Sequence, residues 1–151
     1  MVKASIKKSD LILLLLHGDD SFPIEGMTRF EKLVFLTQKE VLEQLDEIKL
    51  KFNFEPDRFG PLATELYDEI DFLKSVDMVK EESPNRFTIT EKGKRFVGDK
   101  ISQRVHEKLR TDIESIKNQH GKEKLDDLLK YVYSNFPYYT VKSEIRDEVL
   151  G

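Results

Sequence analysis

The stretch Met78-Val79-Lys80-Glu81-Glu82-Ser83-Pro84-Asn85-Arg86-Phe87-Thr88-Ile89-Thr90 decides the fold. Two short runs carrying Val, Phe, Thr and Ile flank Ser83-Pro84-Asn85, which is turn chemistry, so the unit reads as a β-hairpin. Thr90-Glu91-Lys92-Gly93 then opens a helix. Upstream, Lys51 to Pro56 alternates polar and apolar residues, and Asp57-Arg58-Phe59-Gly60-Pro61 turns the chain. Pro61 suits the first position of a helix, where its missing N–H is an orphan in any case. Leu62, Leu66, Ile70, Leu73 and Val76 give that helix its inner stripe.

Two more helices precede it. Thr28-Arg29-Phe30-Glu31 has the spacing of a capping box. Phe30, Leu33, Val34, Thr37, Val41 and Leu45 then recur at three and four residues, and Phe35 and Leu36 widen the face. Before it, Phe22 to Gly26 is a turn or a very short strand. Ser9 or Asp10 caps a first helix that Gly18 stops. Downstream of the hairpin, one helix is predicted from Glu91 to about His120, with Val97, Ile101, Val105, Leu109, Ile113 and Ile116 as a narrow seam. After Gly121, Leu125, Leu128, Leu129, Val132 and Phe136 form the face of its expected partner. The aromatic tail Pro137 to Ile145 is expected to fold back.

Helix, helix, helix, hairpin, helix is the order of a winged helix-turn-helix. The expected architecture is mainly α with a small β-hairpin: a winged helix-turn-helix core over residues 1–97. A C-terminal helical hairpin over residues 98–151 packs on that core or forms a dimer interface.

Composition narrows the function. The chain has 151 residues, no cysteine and a formal charge of −4. Disulfide frameworks, thiolate zinc sites and thiol catalysis are excluded. The apolar run Leu11 to Leu16 is too short to span a bilayer and lacks a cleavage site, so it reads as a buried helix in a cytoplasmic protein with no membrane role. His17, His106 and His120 are far apart and without ligand spacing, and no phosphate-loop or dinucleotide fingerprint occurs. No catalytic residue, cofactor or metal is assigned, and the chain reads as a non-enzyme.

Three phrases occur in a set order: Met27-Thr28-Arg29-Phe30-Glu31-Lys32-Leu33-Val34-Phe35-Leu36, then Phe59-Gly60-Pro61-Leu62-Ala63-Thr64-Glu65-Leu66-Tyr67, then Phe87-Thr88-Ile89-Thr90-Glu91-Lys92-Gly93. Over residues 24–96 the chain resembles prokaryotic winged-helix proteins of the YwgA-like kind and the broader SocA-like antitoxin group. The third phrase is also similar to the wing of PadR-like and MarR-like regulators. The resemblance implies a microbial regulatory or defence-associated domain and hands over no catalytic or ligand-binding set.

Two functions of different class follow. The first is a dimeric winged-helix regulator of transcription bound to double-stranded DNA. Its candidate phosphate contacts are Lys7, Lys8, Arg29, Lys32, Arg86, Lys92, Lys94 and Arg95. The second is an antitoxin-like or defence-associated adaptor that contacts a protein partner. Its third helix shows Glu65, Asp68, Glu69 and Asp71, a face that a phosphate backbone repels. Val105, Leu109, Ile113 and Ile116 are the candidate protein-contact seam, in a homodimer above all.

Overall fold

In a computed structural model, residues 5–150 are described. They are mainly helical, with a small antiparallel sheet and no helix long and apolar enough to cross a membrane.

Helix α1 (Lys8–His17) is apolar on every side, and Leu11 to Leu16 are all buried. A helix of that kind lies in the middle of a core rather than on its edge. Asp10 is not its N-cap. It sits in the first turn and accepts from the Lys7 amide at 2.9 Å, and Gly18 ends the helix.

Strand β1 (Ile24–Glu25) leads into α2 (Met27–Glu40). The expected Thr28–Glu31 capping box does not form. The N-cap is Gly26 at φ 88°, so Thr28 lies inside the helix and Glu31 is buried in its second turn. A 3-10 turn, Leu42–Gln44, follows the helix.

The Pro61 helix start is also corrected. Strands β2 (Glu55–Asp57) and β3 (Gly60–Leu62) pair with Pro56 opposite Pro61, and α3 (Glu65–Ser75) begins four residues later. Proline is tolerated in so short a hairpin because no further strand needs its missing donor. Leu66, Ile70 and Leu73 point inward as expected.

Strands β4 (Val79–Ser83) and β5 (Arg86–Ile89) form the predicted hairpin, with a bulge between Glu81 and Ser83. Asn85, at φ 65°, makes the turn. Pairing of β1 with β5 makes a three-stranded sheet in the order β1-β5-β4.

The single helix expected from Glu91 to His120 is broken. Helix α4 (Glu91–Phe96), capped by the Thr90 hydroxyl, runs into a π-turn (Val97–Ile101) and the short α5 (Ser102–Arg104). Val105 is extended, and His106 caps a new helix, α6 (Glu107–His120). Polar groups at the break are satisfied locally. Arg110 Nε donates to the Val105 carbonyl at 2.9 Å, and Arg104 reaches the buried Asp10 carboxylate at 2.6 and 3.1 Å.

The break turns α6 onto α1 and α2, whereas the seam was expected to pack on the following helix. Val97, Ile101, Val105, Leu109, Ile113 and Ile116 are all buried within the chain. Val105, Leu109, Ile113 and Ile116 are therefore core residues, and this seam presents no apolar face to a second copy. Helix α7 (Leu125–Asn135) lies on α2, followed by a 3-10 turn (Pro137–Thr140) and α8 (Arg146–Leu150). The tail folds back as expected: Tyr139 stacks edge-on against Phe35 at 4.9 Å, and the Glu144 amide donates to the Arg58 carbonyl at 2.8 Å. One buried core runs from Leu11 to Tyr133, and α6 and α7 contribute to it.

Candidate binding surfaces around α3

The first turns of α2, the β2–β3 turn and α3 enclose a cleft of about 450 Å³. Most of its walls come from the first two of the three phrases, Met27, Thr28, Glu31 and Lys32 from one and Phe59, Gly60 and Tyr67 from the other, with Asp57 and Arg58 beside them. Lys32 is wholly buried. Its ammonium donates to Glu31 Oε1 at 3.1 Å and to the Pro61 carbonyl at 3.1 Å. The Tyr67 hydroxyl donates to Glu31 Oε2 at 2.5 Å. Burial pushes the Lys32 ammonium down from its usual range, and the Glu31 carboxylate opposes that shift. Burial, then the Glu31 bond, hold the Tyr67 hydroxyl well above the usual phenol range.

This arrangement corrects one expectation: Lys32 is not a surface phosphate contact, because it is buried and its ammonium is held by Glu31 and the Pro61 carbonyl. Tyr67, Asp57 and Phe59 were not among the candidate site residues read from the sequence. The one available signal was the adjacent pair Glu31-Lys32 set between Phe30 and the apolar run Leu33 to Leu36, which reads as exposed when taken alone.

The other basic candidates do not form one patch. Lys8 pairs with Glu65 at 2.9 Å, joining a candidate phosphate contact to a candidate protein contact. Glu65 also accepts from the Asn53 amide at 3.0 Å, so it is occupied within the chain. Lys92 donates to the Val76 carbonyl at 2.8 Å. Lys94 bridges Asp20 at 3.1 Å and Glu91 at 3.2 Å. Lys7 and Arg95 are exposed. Lys7 and Lys8 stand at one end of α1 and Lys94 beyond the other, about 15 Å apart at the helical rise. Arg29 and Arg86 do come together, in a separate cleft.

Asp68 and Asp71 are exposed on α3, together with Phe72 at 53% and Tyr67 at 40%. Asp68, Asp71 and Phe72 share a face by their spacing. Lys74, on the same helix, is tied to Glu81 at 2.6 Å. Shallow depressions flank the helix, one lined by Glu55, Glu65 and Asp68, the other by Asp71, Lys74 and Glu81. Among the described residues no three metal-ligating side chains cluster.

No protein-family model, curated protein or solved structure matches this chain.

Proposed function

We propose that the protein is a cytoplasmic winged-helix interaction module, in which α3 docks a basic, amphipathic segment of a partner protein. The observation that carries this reading is the exposed face of α3, where two aspartates frame an unpartnered Phe72. The carboxylates around it outnumber the free cations. Lys8, Lys32 and Lys74 are each held by a glutamate and Arg58 faces Glu144 at 3.6 Å, while Asp57, Asp68 and Asp71 have no cation within ion-pair distance among the described residues. An aromatic anchor within such a field suits apolar side chains interleaved with arginine or lysine. Duplex DNA carries the wrong charge for this surface.

Double-stranded DNA is the second reading, favoured by the element order. Three helices followed by the β4–β5 hairpin resemble the winged helix-turn-helix order, with the β2–β3 hairpin inserted between the second and third helices.

One set of titrations separates the two. Fluorescent amphipathic peptides of arginine and leucine, their glutamate and leucine counterparts, and a mixed duplex are each titrated at low and high salt. The expected result is saturable binding of the basic peptide alone. Phe72→Ser, or Asp68→Lys with Asp71→Lys, weakens it at least about tenfold, or about 1.4 kcal/mol. Equal binding by the variants, or none by wild type, overturns the adaptor reading. Duplex binding that falls steeply with salt and is reduced by Lys92→Glu and Lys94→Glu puts the regulator in its place.

A further inference from the structure

A second cleft, of about 350 Å³, lies where the β1–β5 pair meets the loop after α6. It shares no lining residue with the three surfaces around α3. Its charged groups are Arg29, Arg86 and Lys122 against one carboxylate, Glu25. In a chain of net charge −4, three cations in one concavity do not follow from composition.

They arrive from three distant parts of the chain, and each is positioned by the fold. Arg29 stands in the first turn of α2, where Nη1 donates to the Glu123 carbonyl at 2.6 Å and leaves its other donors free. The register that sets Glu25 opposite Arg86 places the second guanidinium, paired to Glu25 at 3.1 Å with both side chains well exposed. Lys122 rides over the Phe22 ring at 4.5 Å. Neither Arg29 nor Lys122 has a carboxylate partner among the described residues. Gly121 is what lets the loop come so close, since a Cβ there would stand 2.9 Å from Phe22 Cε2.

One further feature favours an anion. The neighbouring Lys117 spends its ammonium on the carbonyls of Leu16, Asp19 and Phe22 and so does not compete for the ligand. Helix α2 starts beside the cleft with Gly26 as N-cap, no side-chain cap and no acidic residue in its first turn. Its first-turn amides therefore have no side-chain cap.

We infer that this cleft binds a small phosphate monoester, with Arg29 and Arg86 as guanidinium forks and Lys122 as a point charge. Two planar forks match tetrahedral oxygens, and the volume suits a compact ligand. Glu25 competes with the ligand for Arg86.

Inorganic phosphate and adenosine monophosphate, titrated at constant ionic strength and followed through the arginine Nε resonances, test this assignment. Saturable shifts confined to Arg29 and Arg86 are expected, with the tighter of the two probes showing whether the ligand is free phosphate or an ester. Arg86→Gln and Lys122→Gln should each weaken binding at least about tenfold with an unchanged melting temperature. Glu25→Gln should tighten it, a gain that misfolding cannot mimic. Linear, non-saturating shifts, or equal affinity in Arg86→Gln and Glu25→Gln, overturn the inference. So does displacement of bound phosphate by duplex DNA at lower concentration than by the monoester. Because the cleft is separate from α3, a failed peptide titration leaves this test intact.

Discussion

The Lys32 ammonium donates to the Pro61 carbonyl at 3.1 Å, with no part of the lysine exposed. That bond ties α2 to the β2–β3 turn, and Glu31 supplies the counter-charge. Replacing one member of a buried pair strands the other. Lys32→Met should cost roughly 3–5 kcal/mol in urea unfolding, because it leaves the Glu31 carboxylate unpaired. The double variant Glu31→Gln with Lys32→Met should recover part of that loss. A double variant no more stable than the single one would contradict the pairing.

Gly60 should not tolerate a side chain. Its φ is 91°, and a Cβ there would lie 2.9 Å from Cε1 of Tyr133, a ring anchored by Ser143 at 2.8 Å. Gly60→Ala should lower stability by about 2 kcal/mol or more, from backbone strain and displacement of the ring. Gly98 sits in open space, so Gly98→Ala is the control and should be neutral or slightly stabilising. Equal melting temperatures for the two variants would refute the steric argument.

His17 makes α1 and α6 sensitive to pH. Its Nδ1 lies 2.7 Å from Glu114 Oε2, and that hydrogen bond raises its pKa above the usual imidazole value despite partial burial. A group that titrates higher in the folded state holds a proton the unfolded chain has released. Its stabilisation is therefore complete below the ordinary imidazole pKa and fades as pH rises through the folded value. Proton NMR should show the raised midpoint, and Glu114→Gln should lower it. A midpoint unmoved by that substitution would place the cause elsewhere.

Lys117 should titrate in the opposite sense. Burial pulls its ammonium down to about 8, against the attraction of Asp19 and Asp20. From about 8 up to the ordinary lysine range the unfolded chain binds a proton that the native chain lacks, so stability rises with pH there. Lys117→Met should be less stable throughout, having orphaned the carbonyls of Leu16, Asp19 and Phe22, and should lose that rise. A lysine Hε titration with its midpoint in the ordinary range would refute the prediction.

Most of the helices and the β4–β5 hairpin were legible in the sequence, because apolar periodicity and turn residues are local properties. The errors fell where a local motif had more than one use. Thr28-x-x-Glu31 has capping-box spacing, yet the glutamate is needed 36 residues away by Tyr67. Pro61 suits a helix start, yet its carbonyl is held by Lys32, and the chain pairs as β3 instead. The Val97–Ile116 seam was correct as a buried stripe and wrong as a single helix, because nothing local marks Val105 as the place where the chain must turn back onto α1.

By itself the sequence determined the mainly helical class, the hairpin, the buried Leu11–Leu16 helix and the lack of cysteine chemistry. Only the tertiary structure decided which charges are free. Lys8, Lys32 and Lys94 look identical to Lys122 in sequence, yet partners at Glu65, Glu31 and Asp20 hold all three. Charge pairing acts over a few ångströms between residues tens of positions apart. Desolvation depends on every neighbour at once, so both are properties of packing rather than of spacing along the chain.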